Sequence, residues 1–308
     1  MNPLSFESFC RQFRSEQRCA EALCKARWPD GFHCPKCDHS HAYLIRTRRL
    51  PLFECRSCHQ QTSVTAGTIM EGSSTSLVRW FQAIFLISQP GGISSSRLSK
   101  IITVTYKTAW LISHKIRHAI SRADESELLS GIVQMQPIYY GYNYYKDAQQ
   151  PLMIGGTTNA DGRPHHVKIK QPDPEHVDHP TRTIKKTGIL SFQTKFIRAT
   201  ALPIEQIPRK RYPYLTMLGS EMTNWLNDTF NGIGAKHLQA YLNEFCYRLN
   251  QYESLSSVFD SLLGWCAQTP VLIYKILIRH KRVLQVPWTT FGTKAKWKGA
   301  YLNQWGAS

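Results

Sequence analysis

Apolar positions along the chain fall into helical stripes toward both ends and into short β-type runs in the middle. Leu4, Phe6, Phe9, Phe13, Cys19 and Leu23 recur on a loose helical period, and Ser15 followed by Glu16 and Gln17 marks a second helix start. Trp28-Pro29-Asp30-Gly31-Phe32 reads as a turn, and 42–46 and 52–55 as short strands. Residues 76–89 are almost continuously apolar (Leu77, Trp80, Phe81, Ile84, Phe85, Leu86, Ile87) and predict a buried helix, stopped by Pro90-Gly91-Gly92. A short helix is predicted over 94–100, a break at 102–104, and a longer helix over 105–120 with Ala109, Trp110, Ile112 and Ile116 as its stripe. Then the period changes. Stretches 131–140, 152–158 and 165–170 predict three antiparallel strands, with turns at Gly141 and Asn159-Ala160-Asp161-Gly162. Residues 171–215, rich in Pro, Lys and Arg, carry no readable period. Helices follow over 218–229, 235–250 and 255–265, with a break at 231–234, and 271–278 is apolar but ambiguous.

Within this pattern sit two cysteine pairs, Cys34-Pro35-Lys36-Cys37 and Cys55-Arg56-Ser57-Cys58, with seventeen residues between them. That doubled spacing is the ligand set of a four-thiolate zinc ribbon. Zn²⁺ takes four soft ligands at tetrahedral corners, and each C-x-x-C turn supplies two. A closed site of this kind holds structure and leaves no coordination position for chemistry. The other five cysteines, Cys10, Cys19, Cys24, Cys246 and Cys266, form no paired framework and read as reduced thiols in a cytosolic protein.

Charge narrows the partner class. The 308 residues hold 38 Lys and Arg against 21 Asp and Glu, a formal net charge of +17, which points to nucleic acid. No apolar run reaches membrane-spanning length, and the N-terminal residues lack the layout of a secretory signal. In this basic setting the helices over 76–120 form a helix-turn-helix pattern, in which the last helix enters the major groove of double-stranded DNA. Thr105, Tyr106 and Lys107 at its start would meet base edges, and Lys115 and Arg117 further along would reach phosphates. A plain helical hairpin with a solvated charged face is the competing reading. Arg46, Arg48 and Arg49, between the ribbon strands, are further candidate phosphate contacts. The basic C-terminal segment, with Trp288, Trp297 and Trp305 among lysines and arginines, could grip phosphate and stack on bases, or fold back on the preceding domain.

Four stretches, in order, resemble the zinc-ribbon-bearing DDE transposases of bacterial insertion sequences: 28–37 with its Cys-Pro-x-Cys knuckle, Thr65-Ala66-Gly67-Thr68-Ile69, Tyr106-Lys107-Thr108-Ala109-Trp110, and 236–250. The resemblance implies a multidomain α+β fold: a helical leader (1–28), a zinc ribbon (29–72), a helix-turn-helix (73–123), an RNase-H-like α/β domain (128–250) and a helical, basic tail (251–308). It also implies DNA cleavage and strand transfer by two Mg²⁺ ions held between carboxylates. A cytoplasmic, nucleoid-associated protein follows, and action on paired DNA ends implies a homodimer.

The chain departs from that pattern where chemistry is expected. Where the resemblance implies the first metal-binding aspartate stands Gln136, followed by Pro137. No Asp occurs in 179–220, where the second is implied, and the acid there, Glu205, sits in an unsuitable Pro203-Ile204-Glu205 setting. Glu221 aligns with the third position and is the only surviving candidate. A neutral amide is a poor Mg²⁺ ligand beside carboxylates, so magnesium is not expected to bind. Asp147, Asp161, Asp173 and Asp178 lie in turns and loops. The expectation is a DNA-binding protein of transposase type that holds structural zinc and has lost catalysis. The alternatives are an active transposase with relocated acids, and a zinc-ribbon nucleic-acid-binding interaction protein unrelated to recombination.

Overall fold

The computed structural model of the chain describes residues 5–141, 149–159, 161–205, 212–251, 258–279 and 281–284. It forms two compact units, one of Met1–Arg122 with Leu255–Ile278 and one of Ala123–Ser254 with Arg279–Ser308.

The first unit opens with helices α1 (Phe6–Gln12) and α2 (Glu16–Arg27), started by Ser5 and Ser15, whose hydroxyls accept the Ser8 and Arg18 amides. Strands β1 (Ala42–Ile45), β2 (Leu52–Cys55) and β3 (Gln61–Ser63) form an antiparallel sheet in that order. Then come α3 (Leu77–Ser88), α4 (Ser95–Ile101) and α5 (Tyr106–Ser126), the last of which continues into the second unit. Thr103, with φ at 54°, turns the chain between α4 and α5.

The second unit holds β4 (Ile132–Tyr140), β5 (Gln150–Thr158), β6 (Pro164–Lys170) and β7 (Leu202–Glu205), ordered β6-β5-β4-β7. The first three are antiparallel neighbours, as their sequence predicts, and β7 pairs parallel to β4. The stretch with no readable period supplies a 3₁₀ turn (Pro174–His176), α6 (Lys186–Phe196), β7 and the start of α7 (Pro213–Phe230). Helix α6 escapes sequence reading because it buries only Gly188 and Phe192. Its Phe192 ring lies against Gly155 of β5, where an added Cβ would stand 2.8 Å from the ring.

Helices α7 and α8 (Ala235–Gln251) cover the other face. Leu215, Met222, Leu226, Leu238 and Leu242 from these helices pack on Ile138, Leu152, Ile154, Val167 and Ile169. Helix α8 also closes the β6 edge with side chains. Asn250 exchanges hydrogen bonds with Val167 N–H and C=O (2.8 and 3.0 Å). Gln239 donates to Ile169 O (3.0 Å) and accepts from Gln171 N–H (2.7 Å). Gln239, Asn243, Cys246 and Asn250 share one helix face by their spacing, so a single polar stripe stands in for a missing strand.

The chain then returns to the first unit with α9 (Val258–Gln268) and α10 (Tyr274–Ile278). Phe259 of α9 lies 4.9 Å from Phe9 and 6.0 Å from Phe81, inside an aromatic cluster in which Phe9 stacks on Phe85 at 4.3 Å. This differs from the expected separate tail over 251–308. The apolar face of α9 needs a partner, and it finds one among α2 and α3. The expected leader, ribbon and helix-turn-helix segments likewise share this unit. The basic segment from residue 285 onward and Asp147 lie outside the described residues.

Two lysines are buried in the second unit. Lys168 and Lys170 of β6 both pair with Asp124, Lys168 at 2.9 Å. Lys168 is 0% and Asp124 9% exposed at the side chain, so neither charge is solvated. Burial, opposed by Asp124, lowers the Lys168 pKa. Removing the carboxylate would leave two uncompensated ammonium groups. Asp124→Asn is therefore expected to lower the urea midpoint by the equivalent of about 3 kcal/mol. Asp124→Leu with Lys168→Met and Lys170→Met should recover most of that loss.

Candidate metal centre and nucleic-acid interface

The ribbon strands bring the two cysteine knuckles together. Cys34 Sγ lies 3.6 Å from Cys58 Sγ, and Cys37 Sγ lies 3.6 Å from Cys55 Sγ. All four sulfurs fall within 4.8 Å of one another. Bonds of about 2.3 Å to a central zinc place tetrahedral sulfurs at roughly this separation, so the donor set fits the ion. Both knuckles use the same backbone. Cys34 N–H donates to His39 O (3.0 Å) and Asp38 N–H to Cys34 O (2.9 Å); Cys55 N–H donates to Gln60 O (3.0 Å) and His59 N–H to Cys55 O (3.1 Å). Asp38 and His59 both take left-handed backbone, with φ at 58° and 56°, and so close each turn. Burial raises the Cys34 pKa, but the Lys36 and Cys37 amides outweigh it and draw the thiol down, while Cys37, against the His39 amide, is pushed up by the Cys58 and Cys55 thiols, so the two titrate as a pair.

The ribbon is tied to the helix before it. Arg27, near the end of α2, donates to Ser63 O (2.8 Å) and Val64 O (3.1 Å) and lies 4.2 Å from the Trp28 ring centroid. Trp28 meets Phe53 edge-on at 5.0 Å, and Phe32 stacks on Phe53 at 5.4 Å and 9°. The zinc site, β2 and α2 therefore form one rigid block.

Candidate DNA contacts divide into two groups. Arg46, Arg48 and Arg49 stand exposed between β1 and β2, and none has an ion-pair partner among the described residues. Thr105 caps α5, its hydroxyl accepting the Thr108 amide at 3.2 Å. Tyr106 is 59% exposed, and the exposed Lys107 rests its ammonium 5.7 Å from the Tyr274 ring. Lys115 and Arg117 differ from expectation: both are buried, so they do not present charge to a phosphate. Residues 112–117 of α5 are buried without interruption, and Lys115 packs its ammonium 5.8 Å from the Trp80 ring. Burial lowers the Lys115 pKa, with Glu71 opposing.

Gln136 is 2% exposed and committed at both amide atoms. Its Oε1 accepts Tyr212 N–H (2.8 Å), where α7 begins, and its Nε2 donates to Thr216 Oγ1 (2.9 Å). The Thr216 hydroxyl gives its own proton to Tyr212 O (3.0 Å), so it can only accept from residue 136. A carboxylate there would have to draw the Thr216 proton away from Tyr212 O. A cavity of about 590 Å³ opens beside Gln136, lined by Thr216, Ser220, Thr223, Asn224 and Gln149 among others, and no carboxylate lines it among the described residues. Glu221 is exposed on α7 and is not part of that lining. Asp161 lies in the β5–β6 turn, Asp173 pairs with Lys195 (3.2 Å), and Asp178 accepts the Thr181 amide (3.0 Å). Glu205, set aside on sequence, ends β7 with its Cα opposite Met135, one position from Gln136 along β4. The clamp of Gln136 by Tyr212 and Thr216 had no sequence signal, because its partners lie about 80 residues away.

The family match falls in the first unit. Residues 14–61 match the model of the transposase zinc-ribbon domain. That span includes α2, as expected if Arg27 makes helix and ribbon one block. Over 166 residues the chain is 31% identical to an uncharacterized protein in the transposable element ISH50 of Halobacterium salinarum, an alignment that takes in 53% of this chain and 54% of that one. The chain thus spans about half the length of this curated relative. No solved structure matches. No described helix is long and apolar enough to cross a membrane.

If zinc holds the ribbon, Cys55→Ser should lose equimolar zinc and unfold residues 29–63, read by metal analysis and by exposure of Trp28 fluorescence. Wild-type zinc should be released as pH falls, because each thiolate must take up a proton to leave the metal.

Proposed function

We propose that this chain is a DNA-binding protein of transposase type that grips double-stranded DNA through its ribbon and α5 and does not perform strand transfer. The observation that carries the reading is the neutral cavity at Gln136. Two divalent cations repel one another and need several anionic oxygens to share a site. Among the described residues, hydroxyls and amides supply the polar lining of this cavity, and the residue at the expected first aspartate position is spent in holding α7. The residues present do not fit a two-magnesium centre.

The sheet supports an RNase-H-like second unit. Its order places β4 between an antiparallel β5 and a parallel β7, with α6 on the crossover and α7 following. The α3-α4-α5 sequence, with a short turn at residues 102–105, supports the helix-turn-helix reading, and Thr105, Tyr106 and Lys107 are its candidate base-reading residues. The net charge of +17 supports DNA as the partner. Binding to paired DNA ends, as active members of such a family require, would call for two copies of the chain, at the nucleoid.

A second reading, an active enzyme, is favoured by one observation: Glu205 stands on the strand beside Gln136. Incubation with terminal-repeat DNA in Mg²⁺ or Mn²⁺ separates the two. No nicking or strand transfer is expected. Metal-dependent cleavage that Glu205→Gln abolishes would establish the active reading instead.

The charge model has its own test. Replacing Arg46, Arg48 and Arg49 together by Ala should weaken duplex binding evenly across sequences. It should flatten the slope of log affinity against log salt by roughly 2 to 3, about 0.9 for each phosphate that is no longer neutralised. An unchanged slope would remove the ribbon loop from the interface.

A further inference from the structure

One groove in the first unit sets an apolar surface, which duplex binding does not use, beside the arginines of the ribbon loop. Helix α2 and the β1–β2 hairpin enclose a cavity of about 440 Å³. Its apolar lining comes from Leu44, Pro51 and Phe53. Leu44 and Phe53 are opposite one another in the β1–β2 ladder and so share a face, and Leu44 is 41% exposed. Phe53 cannot yield, because Phe32 and Trp28 brace its ring. Arg27 fixes the two walls relative to each other by joining α2 to the end of β3.

Around that apolar surface stand Lys25, Arg46, Arg48 and Arg49. One carboxylate, Glu21, opposes these four cations, and it already accepts the Gln17 amide at 3.0 Å. Cys24 adds no negative charge, since burial pushes its thiol up to about 11. An apolar floor inside a cationic rim matches neither a stacked duplex, whose base faces are hidden, nor an apolar peptide, which has no use for the cations. It matches a nucleotide whose base is unstacked and whose phosphates are free to meet arginine.

We infer that this groove binds an unpaired nucleotide of single-stranded DNA, such as the overhang of a duplex end, with the base against Leu44 and Phe53 and the flanking phosphates on Arg46, Arg48 and Arg49. Glu21 and Gln17 supply polar atoms for the base edge. The inference rests on the DNA-binding reading and adds a substrate class to it: ends and single strands, not only duplex.

The full-length, zinc-loaded protein would be titrated with three fluorescent DNAs of one core sequence: a blunt duplex, the same duplex with a short overhang, and a single strand. A 2-aminopurine in the overhang reports stacking. The overhang duplex should bind about tenfold tighter than the blunt one, with the 2-aminopurine quenched. Leu44→Ser removes apolar floor without disturbing the braced Phe53. It should cut the overhang preference to below about threefold while retaining zinc and blunt-duplex affinity. If blunt duplex binds but the overhang adds nothing, the groove proposal falls and the duplex reading stands. If the preference survives Leu44→Ser, the single strand binds elsewhere and the proposal also falls. If no DNA binds, both fall.

Discussion

Strand β4 is hydrogen-bonded on both edges, to β5 on one side and β7 on the other. A strand held in this way leaves its side chains two faces and no third choice. Val133 and Met135 go to the α6 layer, and Ile138 and Tyr140 to the α7 layer. Gln136 has the parity of Ile138 and therefore meets the start of α7. There it finds a backbone amide to accept from and a hydroxyl that can only receive. An amide satisfies both while the Thr216 proton stays on Tyr212 O, whereas a carboxylate would need that proton turned toward it. The amide at this position is thus the one that fits the fold, tying β4 to the start of α7. Tyr140, two turns of the pleat further on, performs a similar service: its hydroxyl accepts the Ile233 amide at 2.9 Å and so pins the link between α7 and α8.

Much of this arrangement was legible in the sequence. The knuckles announced themselves because metal ligation needs its residues at fixed local spacing, and the helices of the first unit because serine caps and glycine stops bracket their apolar stripes. The three antiparallel strands followed from alternation and from turn residues at Asn159 and Gly162. Three things were not legible. Helix α6 presents too small an apolar face to show a period. The four-residue strand β7 contains Pro203 and is made a strand by its neighbour, not by its own composition. The burial of Lys115 and Arg117 reverses the usual rule for charged residues, and only the uninterrupted buried run in α5 shows it. In each case the deciding contact is remote in the chain.

The first unit illustrates how a small metal module gains rigidity beyond its metal. Zinc held by the four cysteines would fix the two knuckles, but it would not fix the ribbon to anything else. That task falls to Arg27 and Trp28, which convert the end of a helix into an anchor for β2 and β3. Burial lowers the Arg27 pKa, with Cys24 and Glu71 opposing, and the half-buried guanidinium stays charged. It satisfies its hydrogen bonds on backbone carbonyls. Both bonds leave one guanidinium nitrogen, Nη1, so a single group joins the helix to two successive carbonyls of the hairpin.

The stripe of Gln239, Asn243, Cys246 and Asn250 along α8 has a consequence for the life of the polypeptide as it is made. Until residue 250 has left the ribosome, Val167 and Ile169 carry outward amides and carbonyls with nothing to meet them, in a strand that is otherwise apolar on one side. A nascent or prematurely terminated chain would offer that bare margin to any other copy nearby, and strand-to-strand annealing between copies would compete with folding. Chains that end before Ala235 would on this account aggregate. The helix that completes the domain is also the one that makes it safe at high concentration.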